Sequence, residues 1–414
     1  MSMIRTAIRG LWTSTSLRIA AGYSVSGAAF AGAMLLLARA LPKPEYGVFG
    51  LVVAILNLAS RTAPMGADGI VNRHRMDPGP RLLGRVVAAA AAFGAAVTAL
   101  TWFVYELDEV TLGLIFVGTV VGAAAFVASS QFQAEEKFAV SLLLNQGTNF
   151  VLFGAALIVL LLGVTTAFLP IAFFVGGFAL TAVLGWGALL RSRGPDPDPG
   201  DEFHWGEAVS YWGVAGGALF LHHLDRLLTP ELLSFEALAT FNVLAAIVGA
   251  PFHMLQLGIG YTLLPRLRRA ATRADRRRLI RREGLVTSVV YLGTAALLLV
   301  ATPWIVQLFV GDKYVLPTGL IVAALYLGLL RLLSSYAKTI VKSIGTTADL
   351  VRLNVFSWVS IAMAGGGAAV GAAWGLEGLL YGVGVGWIGH SAAGFGLGLR
   401  HLKEPLRDTE ASRI

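Results

Sequence analysis

Four arginines lie in stretches of the chain that are otherwise apolar: Arg39, Arg61, Arg226 and Arg331. His222, His223 and Asp225 stand beside Arg226, and His253 falls within one residue of the position matching Arg61 when Glu45 is laid on Glu236. A guanidinium is a permanent charge on a planar fork of N–H donors, a shape that fits carboxylate or phosphate oxygens. Several of them against one carboxylate, Asp225, describe a net cationic site for an anion. A guanidinium deep in hydrocarbon costs at least ~2.5 kcal/mol, so Arg61 and Arg331, each about 20 Å along a helix, are expected to line a polar cavity or pair internally. Arg39 and Arg226 lie nearer a helix end, where their long stems could instead carry the charge to water. Asp225, Asp68 and His222 are candidates for coupling or pairing: a carboxylate can take up a proton or cation, or only neutralise an arginine. Adjacent His222 and His223 point in different directions from a helix, so they are not a metal pair and at most one is expected to face a lumen. His390, among glycines, reads as a packed polar residue.

Other chemistry is excluded by what is missing. The chain has no cysteine, which removes disulfides, thiolate metal sites and cysteine nucleophiles together. No Ser/His/Asp arrangement, carboxylate pair or metal-ligand spacing stands out. The glycine-rich runs AGGGAAVGAAWG and YGVGVGWIG follow no strand and precede no Gly-Lys-Ser/Thr, so they read as close helix packing through small residues. No enzyme, metal or cofactor is expected. The nine arginines from Arg266 to Arg282 could suggest nucleic acid. Directly after an apolar span they read instead as a topology determinant that contacts anionic headgroups.

The frame that must position these residues is a membrane bundle. The 414 residues are 56% hydrophobic and 14% charged, with mean hydropathy +0.72. A helical span needs roughly 20 apolar residues, and polar breaks divide the chain into twelve such runs, from about 17–40 to about 375–399. Continuous apolar runs exclude an outer-membrane barrel, whose strands alternate. The first run follows Arg5, Arg9 and Arg18 without a small-residue cleavage site, so it is expected to be retained. With the N-terminus inside, the opposite face keeps only Lys43 and Lys313, which predicts both termini on the cytoplasmic side. The expected fold is an all-α polytopic membrane protein with two six-helix lobes around a central cavity. The N-lobe is 1–190, a cytoplasmic hinge loop follows at 191–206, the C-lobe is 207–399, and 400–414 is a cytoplasmic tail. A weak echo between the halves, in which Glu45 falls on Glu236, predicts parallel repeats with a site between them near the midplane.

Arg39, Pro44, Glu45, Tyr46, Gly47 and Phe49 after span 1, and Gly66, Asp68, Gly69 and Arg73 after span 2, carry a resemblance to a known family. They resemble the opening signature of the oligosaccharide flippase family, the Wzx-like polysaccharide biosynthesis transporters of the multidrug/oligosaccharidyl-lipid/polysaccharide superfamily. Asp225, Arg226 and Glu236 in HHLDRLLTPELLSFEALA, Pro303, Gly311 and Tyr314 in TPWIVQLFVGDKY, and the later WGLEG are similar to further family motifs. The likeness covers nearly the whole chain. It departs at the Phe-Glu-Ala-Leu-Ala turn, where Tyr and Gly are common, and in its twelve spans, where relatives often have up to fourteen.

The resemblance implies a multi-pass protein of the cytoplasmic (inner) membrane that moves polyprenyl-diphosphate-linked oligosaccharide between leaflets for O-antigen, capsule or exopolysaccharide synthesis. Its lobes would rock in alternating access while Arg39, Arg61, Arg226, Arg331 and His253 hold the substrate. Implied partners are the lipid-linked sugar, membrane lipids, and glycosyltransferases and a polymerase of the same pathway, with no nucleic acid. The main alternative is a multidrug or small-solute secondary transporter of the same superfamily, which would want acidic lumen residues for cations. A major-facilitator carrier lacks its usual loop spacing in GADGIVNRHR, a membrane glycosyltransferase or polymerase would need a long outer loop or an Asp-rich domain, and a non-transporting scaffold stays open.

Overall fold

The computed structural model describes residues 15–74, 79–192, 205–270 and 272–402. Arg5, Arg9, most of the expected 191–206 hinge and the tail beyond residue 402 lie outside them. Among the described residues the chain is helical, without strands. The N-terminal half contains α1 (Thr15–Ala40), α2 (Lys43–Thr62), the short α3 (Ala67–His74), α4 (Pro80–Tyr105), α5 (Glu109–Ala134), α6 (Phe138–Leu162) and α7 (Phe168–Ser192). The second half contains α8 (Trp205–Leu232), α9 (Phe235–Leu244), α10 (Ala250–Arg269), α11 (Arg273–Phe309), α12 (Thr318–Ile344), α13 (Thr347–Gly371) and α14 (Gly375–Arg400). A π turn at Ala245–Gly249 joins α9 to α10 in one span, so the long helices match the twelve expected runs.

Among the described residues nine stretches are long and apolar enough to cross a membrane, and one of these, Thr347–Arg400, holds both α13 and α14. The chain is a polytopic all-α membrane protein. The long helices outside the nine are α2 and α8, and these carry Arg61 and the His222–Arg226 segment. Their polarity is the signature of the site, since a span that faces other helices and a cavity need not be uniformly apolar.

Local chemistry sets the helix ends. Pro80 opens α4 at a position where a missing N–H costs nothing, and Glu106 ends it in the left-handed conformation at φ 50°. Asp108 caps α5 by accepting from the Thr111 backbone N–H at 2.9 Å. The basic run is almost wholly helical: α10 continues to Arg269 and α11 starts at Arg273, capped by Thr272. Charged helix ends can extend past the bilayer, which the apolar window does not register. At the same end of the C-lobe, fully buried Asp349 forms a capping box with Thr346 and pairs with Arg400 and His401, tying the start of α13 to the end of α14.

Packing explains the glycine runs as expected from the sequence. A Cβ on Gly367 would strike the carbonyl of Gly382, and one on Gly371 the carbonyl of Gly378, so α13 and α14 approach backbone to backbone. Within the N-lobe α6 packs on α1 and α7, and α5 on α4 and α7; within the C-lobe α12 packs on α10 and α14, and α8 on α13. The lobes meet along α2, which lies against α8 and α9. Gly47 faces the Phe235 carbonyl there and Gly50 the Asn242 side chain, neither leaving room for a methyl group. Lys313 donates to the carbonyls of Ala38 (2.9 Å) and Leu41, Tyr314 meets Tyr46 edge to face at 6.4 Å, and the Tyr105 hydroxyl donates to the Leu227 carbonyl at 2.8 Å. All these contacts lie at one end of the bundle. Toward the other end Gly66, at φ 83°, packs on the backbone of Ala208.

The orientation predicted from charge can be read in this cysteine-free chain with an impermeant maleimide. In intact cells Glu109→Cys is expected to label and Arg278→Cys to stay protected. The reverse pattern would invert the topology.

Candidate functional site

Between the lobes lies a cavity of about 370 Å³, bordered by α1, α2, α5, α6 and α7 on one side and α8, α9, α10 and α12 on the other. Arg61, Arg226, Arg331, His222, His223 and His253 all border it. No aspartate or glutamate is among its described lining residues.

Each guanidinium is held differently. Arg61, in the last turn of α2, reaches into the cavity with its guanidinium carbon 4.8 Å from the centroid of the Phe126 ring. Phe126 in turn packs on Phe178 at 6.2 Å. Arg226 donates from Nε to Asn242 Oδ1 at 3.3 Å and lies over Phe241 at 5.6 Å. An aromatic face stabilises a cation without neutralising it, so both arginines keep their charge available to a ligand. Arg331 is different. It pairs through Nη2 with Asp225, donates to the His222 carbonyl at 3.3 Å and lies over the Trp387 ring at 5.6 Å.

Asp225 is fully buried. One of its oxygens binds Arg331 and the other accepts the Arg226 backbone N–H at 2.9 Å. It therefore bridges α8 to α12, and the arginine it neutralises is on the neighbouring helix. Removing one partner of such a pair leaves an uncompensated buried charge, which costs about 3–5 kcal/mol.

The histidines correct the single-face argument: His222 and His223 both border the cavity, their rings edge to face at 5.2 Å, and His222 lies 5.7 Å from His253. The cavity curves around α8 widely enough to meet two adjacent positions. Arg39 is exposed at the end of α1 and Asp68 half-buried in the first turn of α3, and the cavity reaches neither. His390 bridges Ser334 (2.7 Å) and Ser357 (3.0 Å) inside the C-lobe, the packed polar role expected of it. Among the described residues no group of His, Cys, Asp or Glu could hold a metal ion.

Sequence reasoning missed the uncharged polar lining, which includes Asn57, Asn145, Gln146, Asn149 and Gln256. The signal was present as amides inside apolar spans, above all the run LLLNQGTNFV. Asn242 Nδ2, His223 Nδ1 and Arg331 Nε are buried without a partner in the protein. Buried donors and acceptors are almost always satisfied, so these atoms mark where water or ligand must bind.

No protein-family model and no curated protein matches the chain. Solved structures share its fold. A multidrug resistance MATE family transporter of the MOP superfamily, in an inward-facing conformation, aligns with a TM-score of 0.55 at 13% identity over 94% of each chain. The lipid II flippase MurJ, in an inward closed conformation, aligns with a TM-score of 0.61 at 12% identity, over 93% of this chain and 86% of its own. A MOP superfamily transporter from Pyrococcus furiosus, described as having a binding pocket of reverse polarity, aligns at 0.54 and 14% identity over 95% of this chain and 98% of its own. The chain thus shares a fold that multidrug carriers and a lipid flippase both display.

The Asp225–Arg331 pair gives a stability test. Asp225→Asn is expected to lower stability by about 3 kcal/mol or more, seen as a lower thermal midpoint and a lower protein level. Adding Arg331→Gln should recover part of the loss, because the orphaned charge is then gone. A double-mutant cycle by thermal denaturation reads the coupling directly, and additive losses would show that the pair does not stabilise the fold.

Proposed function

We propose that this protein is a flippase that carries a polyprenyl-diphosphate-linked oligosaccharide across the cytoplasmic membrane by alternating access, for polysaccharide synthesis. The observation that carries the reading is the charge of the cavity. Three guanidiniums border it, the only carboxylate paired with them among the described residues is spent on Arg331, and Arg61 and Arg226 rest on aromatic faces without an ion pair. A diphosphate is the ligand such a site suits, because its oxygens accept from several planar donors at once.

The multidrug alternative fares worse on the same observation. An organic cation would enter a site with no carboxylate among its described lining residues and with two guanidiniums that form no ion pair, and like charges in a low-dielectric space repel strongly. Likeness of fold supports both readings, since the solved neighbours include both kinds of protein. The cavity chemistry favours the flippase reading.

Alternating access needs contacts that can break on one side while others form. The Lys313, Tyr46–Tyr314 and Tyr105–Leu227 contacts close the lobes at one end, and by the charge-based orientation this is the outer end. A diphosphate held at Arg61 and Arg226 would be released outward only when those contacts part. The lipid tail would remain in the bilayer beside the lobes. Asp225 acts in this scheme as the fixed counter-ion of Arg331.

Arg61→Ala and Arg226→Ala should each lower the transfer of a fluorescent polyprenyl-diphosphate sugar between leaflets of proteoliposomes at least tenfold, while expression and thermal stability hold. Arg61→Lys should retain an intermediate rate, since it keeps the charge and loses the fork. Undiminished transfer in both alanine variants would sink the diphosphate reading.

A further inference from the structure

The cavity has two chemically different walls. The C-lobe side carries Arg226, Arg331 and the histidines, whereas on the N-lobe side the only described charge is Arg61 of α2, and the lining residues from α1, α5, α6 and α7 are uncharged. We propose that the amide-bearing face of α6, with Ser26 of α1, is a subsite for the hydroxyl groups of a neutral sugar, so that the two walls read the two halves of one substrate. This rests on the diphosphate reading above and assigns the part of the ligand that the arginines leave unread.

Amides in an apolar span are costly unless paired, so their hydrogen bonds can be followed one by one. Asn145 and Asn149 are one turn apart on α6 and lie on one face. Asn149 Nδ2 donates to Ser26 Oγ at 2.8 Å and to Gln146 Oε1 at 2.9 Å, and Ser26 Oγ donates to Gln146 Oε1 at 3.0 Å. Gln146 Nε2 donates to Asn145 Oδ1 at 3.4 Å. This network fixes the orientation of all three amides. It leaves over the Oδ1 acceptor of Asn149, the amide donors of Asn145 and the second N–H of Gln146, and all three residues border the cavity. Thr148, only 3% exposed, also borders it, and its hydroxyl has no partner in the protein.

Donors and acceptors set side by side on rigid amides match neighbouring hydroxyls, each of which is both donor and acceptor. They match neither a lipid tail, which would strand them, nor an ion, which they could not neutralise. Phe174 and Phe178 border the same side, adding apolar ring surface of the kind a sugar's C–H groups can pack on. The amides keep one charge state across the whole physiological range, so sugar recognition here is independent of pH.

The probes are polyprenyl diphosphate and the same lipid bearing a hexose or N-acetylhexosamine disaccharide, with affinity measured on the full protein in nanodiscs. Wild type should bind at least one glycosylated lipid more tightly than the bare diphosphate. Asn145→Leu should weaken glycosylated-lipid binding roughly tenfold, about two hydrogen bonds' worth, and leave bare-lipid binding unchanged. Thr148→Val, which preserves side-chain shape, should weaken it severalfold and carries the test if Asn145→Leu does not fold. Arg61→Ala should weaken both lipids alike. If wild type and both amide-wall variants bind the two kinds of lipid equally well, the wall holds only water and the subsite falls while the diphosphate reading stands. If wild type binds no polyprenyl diphosphate at all, both fall together.

Discussion

Guanidinium groups in the middle of a membrane bundle must be surrounded by something other than hydrocarbon, and much of this architecture answers that requirement. Arg61, Arg226 and Arg331 come from three spans in two lobes, and all three border one cavity. The spans that supply the first two, α2 and α8, are the ones too polar to qualify as membrane-crossing on composition. They can be polar because they are also the spans at which the lobes meet. Apolar helices such as α4, α6 and α11 hold the lipid-facing positions, with exposed Phe103, Leu161 and Trp304 among them. The arrangement is therefore sorted by solvation: residues needing water or a ligand go to the seam, and residues content in lipid go to the rim.

Asp225 shows how strictly the seam is controlled. A carboxylate beside several guanidiniums could have neutralised any of them. By spanning α8 to α12 it removes one charge inside the C-lobe and leaves the two that lie on opposite sides of the cavity, Arg61 from the N-lobe and Arg226 from the C-lobe. A multiply charged anion between them would be gripped by both lobes at once.

Much of this was legible in the sequence, for identifiable reasons. Apolar run length reproduces the long helices because a bilayer imposes one thickness on every span. The cost of burying charge located Arg61 and Arg331 in a cavity before any geometry was known. The same reasoning left Arg39 open between lumen and interface, and Arg39 stands exposed at the end of α1, outside the cavity. The amides on α6 escaped notice because Asn and Gln carry no charge and disturb hydropathy only mildly; their importance is a matter of which face they share. The paired histidines misled because a helix was assumed to show one face to a lumen, whereas the cavity curves around α8. The π turn at Ala245–Gly249 has no clear sequence signature beyond the Gly249-Ala250-Pro251 stretch that follows it. Several residues behind the family resemblance, including Tyr46, Gly47 and Tyr314, lie where the two lobes close on each other. That placement suits a signature that many transporters could share while carrying different cargo.

The unneutralised Arg61 and Arg226 also bear on how the membrane potential acts. Each elementary charge displaced through 100 mV changes the energy by about 2.3 kcal/mol. On the proposed alternating-access reading, an empty cavity carrying two such charges would sense the field as its opening switched from one side to the other. The same cavity filled by a doubly negative diphosphate is close to neutral, and its reorientation is nearly blind to voltage. For such a cargo the potential would set the pace of the empty return stroke and leave the loaded stroke alone, making voltage a control on turnover without any ion being carried.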